Sequence, residues 1–323
     1  MPTGPRKPRV VVMGGGTGLS VILRGLKLKP FDITAIVTVA DDGGSSGILR
    51  SELKMPPPGD IRSVLIALAD VEPVMSNVLQ YRFQSGNGLK GHSLGNLILA
   101  AVTDITGDFF KGIQELSQVL AVRGRVLPAA NEPIVLKAEM EDDSVVEGES
   151  IIPKSGKRIK RVFIDPQDVQ PLPEVIEAIR EADAIIVGPG SLYTSILPNL
   201  LVPQIAQEVI QSQAQKIYIC NVMTQPGETD QFTVYDHLAV MREHVGRPIF
   251  DHVIVNEGGI PDDVKVKYKE QGAEIVPIDY ERLKQERCNV IADELVYYKT
   301  YLRHDAMKLS DHIHRIIREA QGS

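Results

Sequence analysis

Val10-Val11-Val12-Met13-Gly14-Gly15-Gly16-Thr17-Gly18-Leu19-Ser20 begins as a continuous, largely β-branched apolar run and passes straight into glycines. A strand buried on both faces reads this way, because it has no solvent face to alternate with. Leu19, Ile22, Leu23 and Leu26 then recur at helical spacing over residues 19–28, and residues 33–40 form a second apolar run. Strand, helix, strand is the opening of a βαβ unit. The alternation returns later, with a helix over 173–182, strands over 184–187 and 216–220 with helices between them, and strands over 252–255 and 273–276. This order predicts the α/β class, with a doubly wound, mostly parallel Rossmann-like sheet.

Between these halves the pattern changes twice. It is helical from about residue 60 to 121, with Asp60 and Ser93 placed to cap helices. From about 125 to 165, short apolar runs at 134–136, 144–146, 151–152 and 161–164 surround the turn Lys154-Ser155-Gly156-Lys157, and read as a β-rich insertion. The whole of 1–323 is expected to be one large domain, with a last helix near 309–320 that protrudes.

Composition narrows the function classes. A net charge of −7 argues against a nucleic-acid partner, since phosphate backbones demand excess Lys and Arg. No apolar run approaches membrane-spanning length and no leader pattern is present, so a cytoplasmic location without a membrane span is expected. Cys220 and Cys288 lack the spacing of a disulfide framework or a zinc site and are expected to be reduced. The basic stretch from Lys154 to Arg161 is either a solvated hairpin face or a contact for an anionic partner.

In an open parallel sheet, ligands bind beyond the carboxyl ends of the strands, so the segment leaving each strand matters most. Here those segments are Gly14-Gly15-Gly16-Thr17-Gly18, Asp41-Asp42-Gly43-Gly44-Ser45-Ser46-Gly47, Gly188-Pro189-Gly190-Ser191-Leu192-Tyr193-Thr194-Ser195, Asn221-Val222-Met223-Thr224-Gln225-Pro226-Gly227 and Asn256-Glu257-Gly258-Gly259. Glycine lets backbone approach a ligand closely, and helix N-termini favour phosphate. Ser45, Ser46 and Asn221 join the glycines as candidate nucleotide contacts.

A dinucleotide fingerprint is incomplete, because Leu19 stands where its third glycine belongs. Neither a Gly-x-Ser-x-Gly elbow nor a Walker loop is present. Asp41 and Asp42 are open to three readings: a ligand contact, a metal site or general base, or a turn. Asp60, Arg62 and His92 are further candidates, as helix cap, phosphate partner and acid or base.

Taken together, Met13 to Ser20, Ala40 to Gly47, Pro57-Pro58-Gly59-Asp60-Ile61-Arg62, Gly91-His92-Ser93-Leu94-Gly95-Asn96 and Gly188-Pro189-Gly190-Ser191 resemble the YvcK family, the gluconeogenesis factors, over most of the chain. That family is grouped with the CofD-type 2-phospho-L-lactate transferases, which join a nucleotide-activated phospholactate to a deazaflavin. The resemblance implies a doubly wound fold and a site for UDP-sugars, and for dinucleotides such as NAD(P), with no resident cofactor required. It also implies a cytoplasmic bacterial regulator of cell shape and envelope synthesis under gluconeogenic growth, acting on an envelope-precursor enzyme. A homodimer is entertained as its assembly.

Residue by residue, the resemblance implies that Gly14 to Gly18, Gly188, Gly190 and Ser191 contact phosphates or ribose, with Asn96, Tyr193 and Thr194 nearby. Asp41 and Asp42 match an acidic pair at the reacting phosphate, a candidate Mg²⁺ site, and Asp60 matches a helix-start aspartate. The transferases carry Gly-Pro-Ser-Asn where this chain has Gly188-Pro189-Gly190-Ser191, and tryptophans where it has none. A phosphoryl-transfer enzyme is therefore the second reading, and an NAD-dependent oxidoreductase the third. On chemical grounds, Tyr268 and Arg303 are candidates to face a uracil base, which wants an aromatic or guanidinium plane.

Overall fold

An apolar strand that runs into glycines needs cover on both faces, and β1 (Arg9–Gly14) lies in the interior of the main sheet. The computed structural model describes residues 6–298 and 302–322. After β1 come α1 (Gly16–Leu26), β2 (Asp32–Val37), and the helices α2 (Gly44–Leu53), α3 (Gly59–Leu68), α4 (Pro73–Gln80), α5 (Leu94–Thr106) and α6 (Phe109–Val119). The strand β3 (Arg125–Pro128) then leads to β4 (Val135–Met140), β5 (Val145–Glu147) and β6 (Ile159–Asp165). Alternation resumes with α7 (Pro173–Glu181), β7 (Ala184–Val187), α8 (Leu197–Leu200), α9 (Pro203–Gln211), β8 (Gln215–Ile219), α10 (Val234–Val245) and β9 (His252–Asn256). Last come α11 (Asp262–Glu270), α12 (Tyr280–Leu283), β10 (Asn289–Asp293), the hairpin β11 (Val296–Tyr298) and β12 (Leu302–His304), and α13 (Ala306–Gln321).

Seven strands pair in the order β3-β2-β1-β7-β8-β9-β10, parallel throughout. The sheet grows from β1 to β2 and β3 on one side, then jumps back to β7 on the other. That reversal opens a crevice between the carboxyl ends of β1 and β7, where a ligand fits. The doubly wound expectation is met. A separate antiparallel sheet, β5-β4-β6, stands beside this one.

Four boundaries differ from the sequence reading. Arg125–Pro128 pairs in parallel with β2, so it belongs to the main sheet and the antiparallel one begins ten residues later. Residues 151–152 are not a strand; with Pro153, which cannot donate to a ladder, they enter a single tight turn over Ile152–Lys154. The apolar run at 273–276 makes only an isolated bridge, Met223 to Ile275, and the edge of the sheet is instead β10. The final helix does not protrude. Its Leu309, Ile313, Ile316 and Ile317 are buried, and Gly25 of α1 lets it approach so closely that a Cβ there would lie 2.2 Å from the Ala306 carbonyl oxygen.

The two expected caps are also used differently. Pro58 holds the cap position of α3, so Asp60 falls inside the first turn and is free to point elsewhere. Ser93 does precede α5, but its hydroxyl accepts from Arg62 at 2.6 Å instead of capping. The basic stretch is neutralised within the small sheet: Lys157 pairs with Asp142, and Lys160 and Arg161 with Glu139, at 2.6–2.8 Å. The Lys160 and Arg161 pairs cross between β6 and β4 and the Lys157 pair joins the turns beside them, which favours the hairpin-face reading over an anionic partner.

Beyond the main core, Val222, Ile260 and Val264 form a second small one with Met223, Tyr268, Ile275, Val296, Tyr298 and Leu302. It joins α11 and the β11–β12 hairpin to the segment after β8, at one end of the crevice. Among the described residues, no helix is long and apolar enough to cross a membrane.

Candidate functional site

The crevice is a cleft of about 530 Å³. One end is built from two glycine-rich loops with small side chains. Gly15, Gly16, Thr17 and Gly18 line it from the start of α1, and Pro189, Gly190 and Ser191 from beyond β7. The two loops touch: a Cβ on Gly18 would stand 2.4 Å from the Pro189 carbonyl oxygen. Gly16 takes φ +60, a left-handed conformation that a side chain would strain. Gly15, at the cap position of α1, has no side chain to cap with and no acid lies in its first turn; Asp60 of α3 accepts the Gly16 N–H, and the rest of that positive end is turned to the cleft. Backbone N–H groups in that setting suit a phosphate.

A clamp holds the second loop in place. Asn221 accepts the Gly190 N–H at 3.1 Å and donates to the Gly190 carbonyl at 2.8 Å, while Gln225 donates to Ser191 Oγ at 2.6 Å. Both polar side chains come from the segment after β8 and line the cleft themselves.

Beside the glycine-rich end lies an acidic corner of Asp41, Asp60 and Glu149. Asp60 is turned toward the first glycine loop, where a Cβ on Gly15 would meet its Oδ2 at 2.5 Å. Burial, with Asp41 adding to it, raises the Asp60 pKa to about 7, against the opposing Gly16 N–H. Burial, with Asp41 and Asp60 nearby, raises Glu149 to about 8. Near neutrality both carboxyls therefore hold protons much of the time and can donate hydrogen bonds to a phosphate or sugar oxygen.

The Asp41 and Asp42 side chains have different partners. Asp41 faces the cleft, with one oxygen accepting the Gly43 N–H at 2.9 Å, which is the turn reading made concrete. Asp42 points the other way and accepts the Ser150 N–H at 2.8 Å. It thereby pins the turn that brings Glu149 into the cleft. Among the described residues, no group of three or more His, Cys, Asp or Glu is arranged to hold a metal ion.

The far end is made of side chains: Met223, Tyr268, Leu302 and His304, all from the second core or its hairpin. Tyr268 OH accepts the Leu302 N–H at 3.0 Å, which ties α11 to β12.

Of the residues singled out from the sequence, Gly15 to Gly18, Asp41, Asp60, Gly190, Ser191, Asn221 and Tyr268 meet at this cleft. Ser45, Asn96 and His92 lie behind it in a buried polar cluster, with Asn96 donating to Ser45 Oγ at 3.2 Å and His92 Nδ1 3.1 Å from the same hydroxyl. Ser46 is buried against Gly59. Tyr193 packs edge-on to Phe232 and His244 beneath the loop, and the Thr194 hydroxyl faces Glu228. Arg62 turns to Ser93 and Ser63, away from the cleft. The Asn256-Glu257-Gly258-Gly259 segment fastens the hairpin, with Asn256 accepting the Leu295 N–H at 2.9 Å. Gly14 and Gly188 set the loops' entry, and Arg303 is exposed, beside Arg24.

Sequence reasoning missed Glu149 and His304, and placed Gln225 only as part of the segment leaving β8. Glu149 comes from the small sheet and His304 from the hairpin, and neither sits in a motif. The alternation of β12 was the available signal: if position 302 faces inward, so does 304.

The sequence profile of the CofD family, described as "2-phospho-L-lactate transferase CofD", matches residues 10–296. The chain is 60% identical over 315 residues to the gluconeogenesis factor of Bacillus subtilis (strain 168), covering 97% of this chain and 99% of that one. It is 47% identical over 312 residues to the gluconeogenesis factor of Listeria monocytogenes, covering 94% of each. Its structure superposes with a TM-score of 0.94 on the crystal structure of a UPF0052 family protein from Bacillus halodurans, at 58% identity and covering 96% of this chain and 99% of that one. With the family profile matched from β1 into β11 and relatives aligned over nearly their full length, the chain belongs to the CofD family, in the group of the gluconeogenesis factors.

Proposed function

We propose that this protein binds a UDP-sugar in the cleft and acts as a regulator, reporting the ligand to an enzyme of envelope-precursor synthesis and so supporting cell shape under gluconeogenic growth. The observation that carries the nucleotide part is the glycine-rich start of α1 lying against the Pro189–Ser191 loop at the point where strand order reverses. A diphosphate would lie over these N–H groups. The base would then reach Tyr268, and the sugar the protonated carboxyls of Asp60 and Glu149. The link to gluconeogenic growth is supported by the likeness to gluconeogenesis factors. In this reading no resident cofactor takes part, and the protein works in the cytoplasm.

A second reading, transfer of a phosphorus-containing group, is favoured by the acidic corner beside the phosphate end and by the family profile. Titration calorimetry with UDP-N-acetylglucosamine, UDP-glucose, GDP and NAD, with and without Mg²⁺, separates the two. UDP-sugar binding without turnover, weakened in Gly16→Ala, is the expected result. A preference for GDP that requires Mg²⁺ and is lost in Asp41→Asn would transfer the assignment to the enzyme.

A further inference from the structure

β12 alternates, so Leu302 and His304 face the cleft while Arg303 between them faces away. The His304 ring is held from behind, its Nε2 standing 3.2 Å from the Cys220 carbonyl oxygen at the end of β8. A carbonyl only accepts, so the ring proton sits on Nε2 and Nδ1 carries a lone pair. Burial lowers the pKa of this histidine to about 4, which keeps the ring neutral at cellular pH. Among the described residues Nδ1 has no hydrogen-bond partner, and the half-buried residue lines the cleft. The cleft thus presents, beside Tyr268, one acceptor of fixed direction.

We propose that His304 Nδ1 reads the base, accepting the imide N3–H of a uracil seated against Tyr268 and rejecting cytosine, whose N3 is itself an acceptor. Two facing acceptors leave both lone pairs unsatisfied in a desolvated site, and that loss is what discriminates. The inference rests on the nucleotide reading of the cleft and adds to it the residue that chooses the base. A purely structural role, tying β12 to β8, would weaken every nucleotide alike when lost.

The test is calorimetry of the full chain with UDP, CDP and N3-methyl-UDP, on the wild type, His304→Leu and His304→Gln. Wild type should bind UDP at least about tenfold more tightly than either of the others, as expected when one buried hydrogen bond is lost. His304→Leu should bring UDP and CDP within about twofold of each other, while His304→Gln, which keeps an acceptor, retains most of the preference. The methylated ligand needs no variant, so a folding defect cannot hide the result. Equal binding of UDP and CDP by wild type, or an unchanged ratio in His304→Leu, overturns the role of His304 and leaves the nucleotide site standing. Absence of binding by any nucleoside diphosphate overturns the nucleotide reading and this inference with it.

Discussion

At the α1 end of the cleft the walls are glycine-rich loops that offer mostly backbone, with Gly18 packed so closely on Pro189 that no side chain fits between them. At the other end the walls are the side chains of Met223, Tyr268, Leu302 and His304, carried by three segments distant in sequence and packed around their own small core. A backbone wall is nearly invariant in what it offers, N–H groups and a dipole, and so suits the common part of many ligands. A side-chain wall can be changed one residue at a time and suits the variable part. Under the proposed function, the contrast gives the phosphates to the first end and base recognition to the second.

The largest effect that would break this division is Gly18→Ala. Its methyl would have to displace the Pro189 carbonyl, so ligand affinity should fall about a hundredfold and stability by about 1–3 kcal/mol, as for other overpacked contacts. The loss should extend to inorganic pyrophosphate, which has no base. Gly25→Ala is the control, since it meets the Ala306 carbonyl at 2.2 Å but far from the cleft. Thermal melting should show both variants destabilised, and calorimetry should show Gly25→Ala binding normally. If both lose binding equally, the glycine contact at Gly18 serves folding alone.

Next in size is Tyr268→Ala. Loss of an aromatic platform under a base costs about 1–3 kcal/mol, so UDP affinity should drop about ten- to a hundredfold. Pyrophosphate affinity should not move. A parallel loss of both ligands would mean that Tyr268 acts by holding α11 to Leu302, and the far end would be a brace rather than a reader.

The same division explains what the sequence disclosed. Backbone walls must be written in glycine, and glycines after apolar runs are visible, so the strand ends after β1 and β7 could be placed from the sequence alone. The acidic corner was half visible. Asp41 and Asp60 stand in or near such loops, but Glu149 arrives from the antiparallel sheet, brought in by Asp42 through the Ser150 N–H. No local pattern marks a carboxyl as near a site when the contact that places it spans 108 residues. β10 was missed for a related reason: it is a half-buried edge strand, and its Asn289-Val290-Ile291-Ala292-Asp293 is weakly apolar, while the more apolar 273–276 forms only a bridge.

The acidic corner gives the phosphate end a pH signature of intermediate size. Asp60 and Glu149 are neutral below about 7 and about 8, and charged above. Charged, they repel a bound phosphate, so affinity should be highest near pH 6 and fall about tenfold by pH 9. Glu149→Gln should remove the upper part of that fall and leave the step near 7. The unbound protein should also lose stability as pH climbs from about 4 towards 8, because the unfolded chain releases these two protons earlier than the folded one does. A tightening of binding with rising pH would mean that the two carboxyls work as anions, which is the behaviour expected of a cation site.

Arg303→Ala should have the smallest effect, and for that reason it sharpens the contrast most. A guanidinium is chemically the better partner for a nucleotide, yet this one is exposed on the outer face of β12, across from Tyr297 and close enough to Arg24 to repel it. Removing it relieves that repulsion and touches nothing in the cleft. UDP affinity should stay within about twofold and stability within about 0.5 kcal/mol, the range of ordinary surface changes. A tenfold loss of affinity would require the hairpin to turn over when ligand binds, exchanging Arg303 for His304 at the cleft. His304→Leu would then cost little, so the two variants together decide which face of β12 meets the base.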